Sequence, residues 1–159
     1  MEDLLTLLNE NARAPIAELA VALNVTEAEV ISEIARLERE GIIRGYRVLT
    51  DPAKTHGDKV TALIEVKITP ERGGGFDRLA SRIAKFDEVK SCYLMSGGYD
   101  LLVVVEGANL QEISLFISEK LSTIRGVLST ATRFRLKSYK ENGTLLIQDT
   151  QPERLPVSP

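Results

Sequence analysis

The first forty residues of the chain repeat apolar side chains at the three- and four-residue spacing of amphipathic helices. The second stripe follows Pro15, which suits the first turn of a helix, and the third opens at Thr26 and stops at Gly41. The stripes comprise Leu4, Leu5, Leu7 and Leu8, then Ile16, Leu19, Ala20 and Leu23, then Val30, Ile31, Ile34 and Leu37. Helices this short and closely joined cannot form separate cores, so the pattern predicts a trihelical unit. The glycine-broken apolar segment 42–48 is typical of a small wing.

From Val60 the period changes to the two-residue alternation of β-strands. The alternation predicts a first strand through Ile68 and a last strand over 127–139, with two striped helices between them. Two further strands, 89–95 and 99–105, are predicted to join across Gly97 and Gly98 in a two-residue hairpin. The order is β-α-β-β-α-β. It predicts an α+β fold in which a ferredoxin-like sheet carries two helices on one face.

The change of period also predicts the domain organisation. The segments are a winged helix-turn-helix over 1–49, a linker over 50–59, a ferredoxin-like domain over 60–143 and a C-terminal tail over 144–159. Since both sheet helices cover one face, the other face, with residues such as Leu63 and Tyr93, needs a partner. Dimerisation through that face is the simplest way to supply it.

Composition is that of a globular protein, with 43% hydrophobic and 27% charged residues. No apolar run approaches the roughly 18 residues of a membrane span, and no signal peptide is recognisable, which predicts a cytoplasmic protein with no membrane partner. The single Cys92 and the single His56 exclude an internal disulfide and a histidine cluster. No acid–base pair or nucleophile motif is recognisable, so we expect no enzyme, no catalytic or metal-binding residues and no cofactor.

The third predicted helix occupies the position of the DNA-reading helix in a helix-turn-helix, yet its first two turns carry Glu27, Glu29 and Glu33 and no basic residue. Residues 1–50 hold nine acids and five arginines, so no bulk field attracts nucleic acid. Glu29 has two interpretations. It forms a T-x-x-E capping box with Thr26, or it accepts a hydrogen bond from a cytosine N4 in the major groove.

Double-stranded DNA is the predicted partner of this unit. The candidate DNA-binding residues are Arg13, Thr26, Ala28, Glu29, Ser32, Arg36, Arg39, Arg44 and Arg47. The arginines are the candidate phosphate contacts, and Arg36 is also available for guanine. So few phosphate contacts make one subunit a weak binder. A homo-oligomer raises the effective concentration of the second DNA-binding domain, so oligomerisation is a physical requirement of DNA binding here.

The sequence Ser-Gly-Gly-Tyr-Asp at 96–100 is the other stretch with chemical content. Gly97 and Gly98 let a ligand approach the backbone and leave N–H groups for a carboxylate. Asp100 would bind an ammonium group, and Tyr99 would shape a side-chain pocket. The alternative interpretation is a plain hairpin with Asp100 near its end.

Three runs of sequence carry a family resemblance: IAELAVALNVTEAEVISEIARLEREGIIRGY, VKSCYLMSGGYDLLVVVEG and GVLSTATRF. They resemble the leucine-responsive and asparagine-regulator (Lrp/AsnC) family of prokaryotic transcription factors, over residues 1 to about 145. The resemblance implies a DNA-binding domain and a ligand-sensing RAM-type domain, assembled into dimers and rings of dimers that bind amino acids or related metabolites between subunits. It implies also that the Gly-x-x-Asp turn lines the effector site with a neighbouring subunit's last strand, where Ser129, Thr130 and Thr132 offer hydroxyls.

The leading hypothesis is therefore a transcription regulator that binds DNA as a homo-oligomer and responds to an amino acid or a related small metabolite. A hypothesis of another class is a ligand-binding or assembly protein of the same fold, with little or no DNA affinity because its recognition helix is acidic. An enzyme with a ferredoxin-like fold is the third hypothesis, and the chain offers no candidate residues for turnover.

Overall fold

The computed structural model of the chain describes residues 2–51, 54–55, 59–70 and 75–146. The chain divides into two compact units, Met1–Thr50 and Asp51–Pro159. The predicted domain and linker bounds stay a prediction, and 52–53, 56–58 and 147–159 lie outside the described residues. Among the residues that are described, no helix is both long enough and apolar enough to cross a membrane.

The first unit consists of three helices, α1 (Glu2–Glu10), α2 (Ile16–Leu23) and α3 (Glu27–Arg39). Helix α2 ends at Asn24, whose left-handed backbone (φ 55°) directs its N–H to the carbonyls of the last turn. Only the residues 24–26 separate α2 from α3, so the pair forms a helix-turn-helix, as predicted. The three helices close on a core of Leu4, Leu19, Ala20, Val30 and Leu37.

Helix α3 is capped at both ends by its own sequence. At the start, the Glu29 N–H donates to the Thr26 hydroxyl (3.3 Å) and the Thr26 N–H donates to Glu29 Oε2 (2.8 Å), which is the predicted capping box. At the end, Gly41 takes a φ of +69°, and the N–H groups of Gly41 and Ile42 donate to the carbonyls of Glu38 and Leu37. This pair of bonds is a Schellman motif, which confirms that the helix stops at Gly41.

The first unit differs from the predictions in two respects. Ile31, assigned to the inward stripe, is 55% exposed, because one residue step turns it about 100° away from the buried Val30. The segment 42–51, expected to begin with a small wing, has no strand. Instead, the Tyr46 hydroxyl donates to Glu38 Oε1 (3.0 Å), so this segment is tied back to the last turns of α3.

The second unit is built around a four-stranded antiparallel sheet. Its elements are β1 (Val60–Ile68), α4 (Asp77–Ile83), β2 (Val89–Leu94), β3 (Leu101–Gly107), α5 (Leu110–Leu115) with a π-helical continuation (Phe116–Leu121), and β4 (Val127–Phe134). The strands lie in the order β2-β3-β1-β4, so β1 and β3 are the central pair. This is the ferredoxin-like βαββαβ topology, which confirms the predicted α+β fold.

The core of the second unit lies between the sheet and its helices. Alternate residues of β1 and β3 are buried on the face that the helices cover, which follows the two-residue period of the sequence. The rings of Phe86 and Phe116 pack edge to face, with centroids 5.5 Å apart. The buried residues are Ala62, Ile64, Val66, Ile68, Leu79, Ile83, Leu101, Val103, Val105, Ile113, Phe116, Leu121 and Ile124.

The turn between β2 and β3 is wider than predicted, so the expectation of a two-residue hairpin across Gly97–Gly98 is wrong. The Met95 N–H donates to the Asp100 carbonyl (2.8 Å), which leaves the four residues 96–99 as the loop. The physical reason lies in the neighbouring strand. The Asp100 N–H donates to the Val66 carbonyl of β1 (3.0 Å), which holds Asp100 in the sheet and moves the turn to the residues before it.

Strand β4 ends at Phe134, which pairs with Ala62 of β1, so it is shorter than the predicted strand over 127–139. Beyond it the Arg135 N–H still donates to the Thr61 carbonyl (2.9 Å), and Val60 is the first residue of β1, so β1 has no residue to pair with 137–139. The chain then forms a short hairpin of β5 (Lys140–Glu141) and β6 (Thr144–Leu145). Asn142 and Gly143 between them both have positive φ, as a type I′ turn requires. The predicted tail, 144–159, thus begins with a strand, and its residues 147–159 lie outside the described part.

Candidate functional site

The outward face of α3 carries mostly small side chains. Ala28, Ser32 and Arg39 of the predicted DNA-binding set are exposed on the side opposite the buried Val30. Ala35, which was not in that set, is exposed between Ser32 and Arg39 on the same face. Of these four side chains only that of Arg39 is long, so the backbone of α3 is accessible to a large partner.

Glu29 and Thr26 are engaged with each other at the start of α3. Besides the two capping bonds, the Thr26 hydroxyl donates to Glu29 Oε2 (2.8 Å). The Thr26 backbone N–H and hydroxyl lower the pKa of the Glu29 carboxyl below its ordinary value. Both donors use Oε2, and no described residue donates a hydrogen bond to Oε1. The capping interpretation is confirmed; a cytosine contact stays a prediction, and Oε1 is the atom available for it.

Arg36 is held by two carboxylates of its own helix. Its Nε and Nη2 donate to the two Glu33 oxygens at 2.8 and 2.7 Å, and its Nη1 donates to Glu40 Oε2 at 2.6 Å. The bonds to Glu33 and then Glu40 raise the pKa of the guanidinium above its ordinary value, and Arg36 in turn lowers the pKa of Glu33. The predicted guanine or phosphate donor is therefore already bound within the protein.

Sequence reasoning missed this network, although the signal was present. Side chains three and four residues apart meet on one side of a helix, and Glu33, Arg36 and Glu40 have that spacing. The other four arginines of the predicted set, Arg13, Arg39, Arg44 and Arg47, are exposed. Within the described residues none of these four side chains forms an ion pair. The available positive charge of the unit therefore lies mainly at and beyond the end of α3.

The loop of the second candidate site lies at one end of the sheet. Gly97 and Gly98 are exposed, and Tyr99 and Asp100 are half-buried. The Asp100 carboxylate already has a partner within the protein, because its Oδ2 accepts a hydrogen bond from the Ile68 N–H of β1 (2.8 Å). A ligand ammonium therefore has Oδ1, and a share of Oδ2, as its acceptors at this residue.

The predicted hydroxyls on β4 lie near the same end of the sheet, but on two faces. Thr130 and Thr132 pair with Val66 and Ile64, whose side chains are buried, so these two threonines share the helix-covered face. Ser129 pairs with Lys67 and is exposed on the open face. Strand β1 separates β4 from Asp100, which corresponds to about 10 Å across two strand spacings. One subunit therefore does not bring Asp100 and these three hydroxyl groups to one point.

The open face of the sheet is a mixed surface. Its centre carries the half-buried Leu63, Leu102 and Val104, and Tyr93 beside them is 53% exposed. An ion pair lies on the β4 side of this face, with Arg133 Nε 2.8 Å from Glu65 Oε1. This bond lowers the pKa of Glu65 and raises that of Arg133. The open face thus pairs an apolar centre with a fixed charge pattern at its margin.

The remaining reactive groups are few. Burial raises the pKa of the Cys92 thiol, and its Sγ packs 4.0 Å from the Ala80 carbonyl, an environment that disfavours a nucleophilic thiolate. In the described part of the chain, His, Cys, Asp and Glu side chains form no group of three or more that suits a metal ion.

Comparison with known protein families agrees with this arrangement. The model of the AsnC-type helix-turn-helix domain matches residues 2–38, and the model of the Lrp/AsnC ligand binding domain matches residues 61–145. The first match covers α1, α2 and most of α3, and the second covers all of the four-stranded sheet except Val60.

Individual relatives extend this match along nearly the whole chain. The HTH-type transcriptional regulator YugG of Bacillus subtilis is 44% identical over 158 residues, which are 99% of this chain and 95% of that protein. The proline dehydrogenase transcriptional activator of Rhodobacter capsulatus is 28% identical over 84% of this chain and 86% of its own. A transcriptional regulator from Neisseria meningitidis, solved in complex with L-methionine, is 27% identical, with a TM-score of 0.69 over 87% of this chain and 89% of that one. The chain belongs to the Lrp/AsnC family of transcription regulators, which are not enzymes.

Proposed function

We propose that this regulator binds double-stranded DNA through α3, acts as a homo-oligomer in the cytoplasm, and responds to an amino acid or a related small metabolite. The observation that carries the proposal is the outward face of α3, where Ala28, Ser32 and Ala35 leave room for the helix to enter a major groove. A surface of long acidic side chains in that position would oppose DNA instead.

The exposed arginines are the proposed phosphate contacts. Arg39, Arg44 and Arg47 follow one another from the last turn of α3, and Arg13 lies between α1 and α2. Phosphate contacts position a protein on DNA without reading its sequence. Base reading falls to the start of the helix and its outward face, where Ala28 would contact a thymine methyl, Ser32 would hydrogen-bond a base edge, and Glu29 would accept from a cytosine. Thr26 holds Glu29 in place for that contact.

The proposed oligomer follows from the small number of cations. A few phosphate contacts per subunit give weak DNA binding that salt readily abolishes. Linking two DNA-binding domains in one oligomer raises the affinity, because the second domain then binds at a high effective concentration. The open sheet face, with Leu63, Tyr93, Leu102 and Val104, is the proposed dimer surface, because contiguous apolar area on a sheet favours a partner. A ring of dimers would raise the effective concentration further.

The proposed effector site combines two subunits. The loop of Gly97 and Gly98 offers backbone N–H groups to a carboxylate, and Asp100 offers an acceptor to an ammonium group, which together suit an α-amino acid. Ser129, Thr130 and Thr132 of a neighbouring copy would complete the site. The methionine complex of the Neisseria relative supports this class of ligand.

Salt-dependent DNA binding tests the DNA proposal. Fluorescence anisotropy with the DNA upstream of the protein's own coding sequence, at about 50 and 200 mM salt, should show affinity that falls steeply with salt. Arg39→Ala should lower the affinity and reduce the log–log slope by about 0.9 for each subunit bound, whereas the matched control Arg82→Ala in α4 should change neither. A slope near zero, or no binding at micromolar protein, would reject DNA binding.

The effector proposal is tested separately. In thermal-shift measurements against the twenty amino acids, a true effector present at 100 times its Kd should add about 2.7 kcal/mol of stability. No shift with any of the twenty would reject an amino-acid effector.

The second candidate function is a ligand-binding or assembly protein with little DNA affinity. It is favoured by one observation, the pairing of Arg36 with Glu33 and Glu40, which withdraws a cation from α3. A shift with an amino acid in the absence of any salt-dependent DNA binding would select this candidate over the regulator.

A further inference from the structure

We infer that Glu33 and Glu40 set the strength of DNA binding, because they compete with backbone phosphates for the guanidinium of Arg36. The inference rests on the proposed DNA-binding function. It assigns a role to two acidic residues that themselves contact no DNA.

The geometry of the network leaves little of Arg36 to a phosphate. A guanidinium has five N–H donors, and here all three of its nitrogens already donate to carboxylate oxygens at 2.6 to 2.8 Å. The pair with Glu33 is bidentate, which is the arrangement that a phosphate would also adopt. A phosphate can therefore bind the Nε–Nη2 edge of Arg36 only by displacing Glu33, and the bonds to the two glutamates leave it one N–H on Nη1 and one on Nη2.

The network also lies beside the proposed DNA surface. Arg36 follows Ser32 by four residues and precedes Arg39 by three, so it borders the outward face of α3. One arginine and two glutamates carry a net charge of −1, which repels a polyanion at this border. Released from its glutamates, the same arginine would add a phosphate contact next to that of Arg39.

The competition is finely balanced because the pairs are partly exposed. The side chains of Arg36, Glu33 and Glu40 are 29%, 31% and 46% exposed, and pairs open to water are weak and sensitive to salt. The phosphates of a DNA backbone can break ion pairs this weak, but breaking them makes the free energy of DNA binding less favourable. The two glutamates would thus keep affinity low enough for a metabolite to control it through the oligomer.

The test compares two double variants with the same change in charge. Glu33→Gln/Glu40→Gln releases Arg36, whereas Glu18→Gln/Glu27→Gln removes two exposed glutamates of the same unit that do not bond to Arg36. At low salt the first should bind DNA on the order of three- to tenfold more tightly than the second, with a slope steeper by about 0.9 for each subunit bound. Since phosphates carry no sequence information, the gain should be equal on upstream DNA and on a scrambled duplex of the same length.

A third variant identifies Arg36 as the agent. Adding Arg36→Ala to Glu33→Gln/Glu40→Gln should remove the excess, so that this triple variant binds like Glu27→Gln alone, which has the same net charge. Far-UV circular dichroism of each variant checks that α3 is retained.

The outcomes separate this inference from the proposed function. If the wild type binds DNA and the two double variants bind it with equal affinity, the inference is overturned and the proposed DNA binding stands. An excess that survives Arg36→Ala would also overturn it. If no variant binds DNA in a salt-dependent way, both the inference and the DNA-binding proposal fail.

Discussion

Two carboxylates that suggest ligand contacts in the sequence, Glu29 and Asp100, both bind the protein's own backbone. Glu29 accepts from the Thr26 N–H three residues away, at the exposed start of α3. Asp100 accepts from the Ile68 N–H, 32 residues away on a neighbouring strand, and Ile68 is only 3% exposed. The same kind of bond thus fastens one turn of helix in one unit and joins two strands in the other.

The two hydrogen bonds differ in what their loss costs the folded protein. An exposed N–H that loses its acceptor turns to water, whereas a buried one stays unpaired and raises the free energy of the folded state. We therefore expect the effects of removing these carboxylates to differ in size, although their distances are both 2.8 Å.

The largest effect is expected at the sheet. Asp100→Ala leaves the Ile68 N–H without its acceptor and should lower the free energy of unfolding by about 1–3 kcal/mol. Calorimetry should show a fall of at least a few degrees in the Tm of the second unit. Asp100→Ala should also abolish the response to an amino acid, because the acceptor for the ammonium group is lost.

Asp100→Asn is the matched control for this prediction. Its amide oxygen still accepts from the Ile68 N–H, so stability should be nearly unchanged while effector binding falls with the lost charge. Equal stability of the Ala and Asn variants would contradict the structural role of Asp100.

A smaller effect is expected at the start of α3. Thr26→Ala removes the hydroxyl that accepts from the Glu29 N–H and donates to its carboxylate, and should cost about 1 kcal/mol in urea unfolding followed by circular dichroism. Thr26→Ser keeps the hydroxyl and should stay close to the wild type. A loss at Thr26→Ala as large as that at Asp100→Ala would remove the distinction between the two sites.

The smallest effect is a pH dependence of the capping box. The pKa of Glu29 is lower in the folded protein than its ordinary value near 4.5, so its stabilisation is present above that value and is lost as pH falls through the folded pKa. The difference in urea midpoint between the wild type and Glu29→Gln should therefore shrink between about pH 5 and pH 3. A difference that does not change over this range would contradict the assigned role of the ionised carboxylate.

The limits of prediction follow the same division between near and distant partners. The capping box, the stop at Gly41 and the β-α-β-β-α-β order of elements along the chain follow from spacings within a few residues, and the structure confirms them. Ile31 was misplaced because an apolar residue at the edge of a helical stripe has no neighbour in sequence that decides its burial. The Glu33–Arg36–Glu40 network is an exception. Its three- and four-residue spacing is visible in the sequence, but the sequence does not show that Arg36 pairs with these glutamates rather than being available to DNA.

The sequence by itself determined the order of the main helices and strands, and that a helix-turn-helix precedes a βαββαβ domain, because these depend on local period and capping. Only the tertiary structure decided that β1 lies between Asp100 and β4, that Thr130 and Ser129 face opposite sides of the sheet, and that Asp100 supports the Ile68 backbone. Strand register pairs residues that are distant along the chain, and a shift of one residue would exchange the two faces.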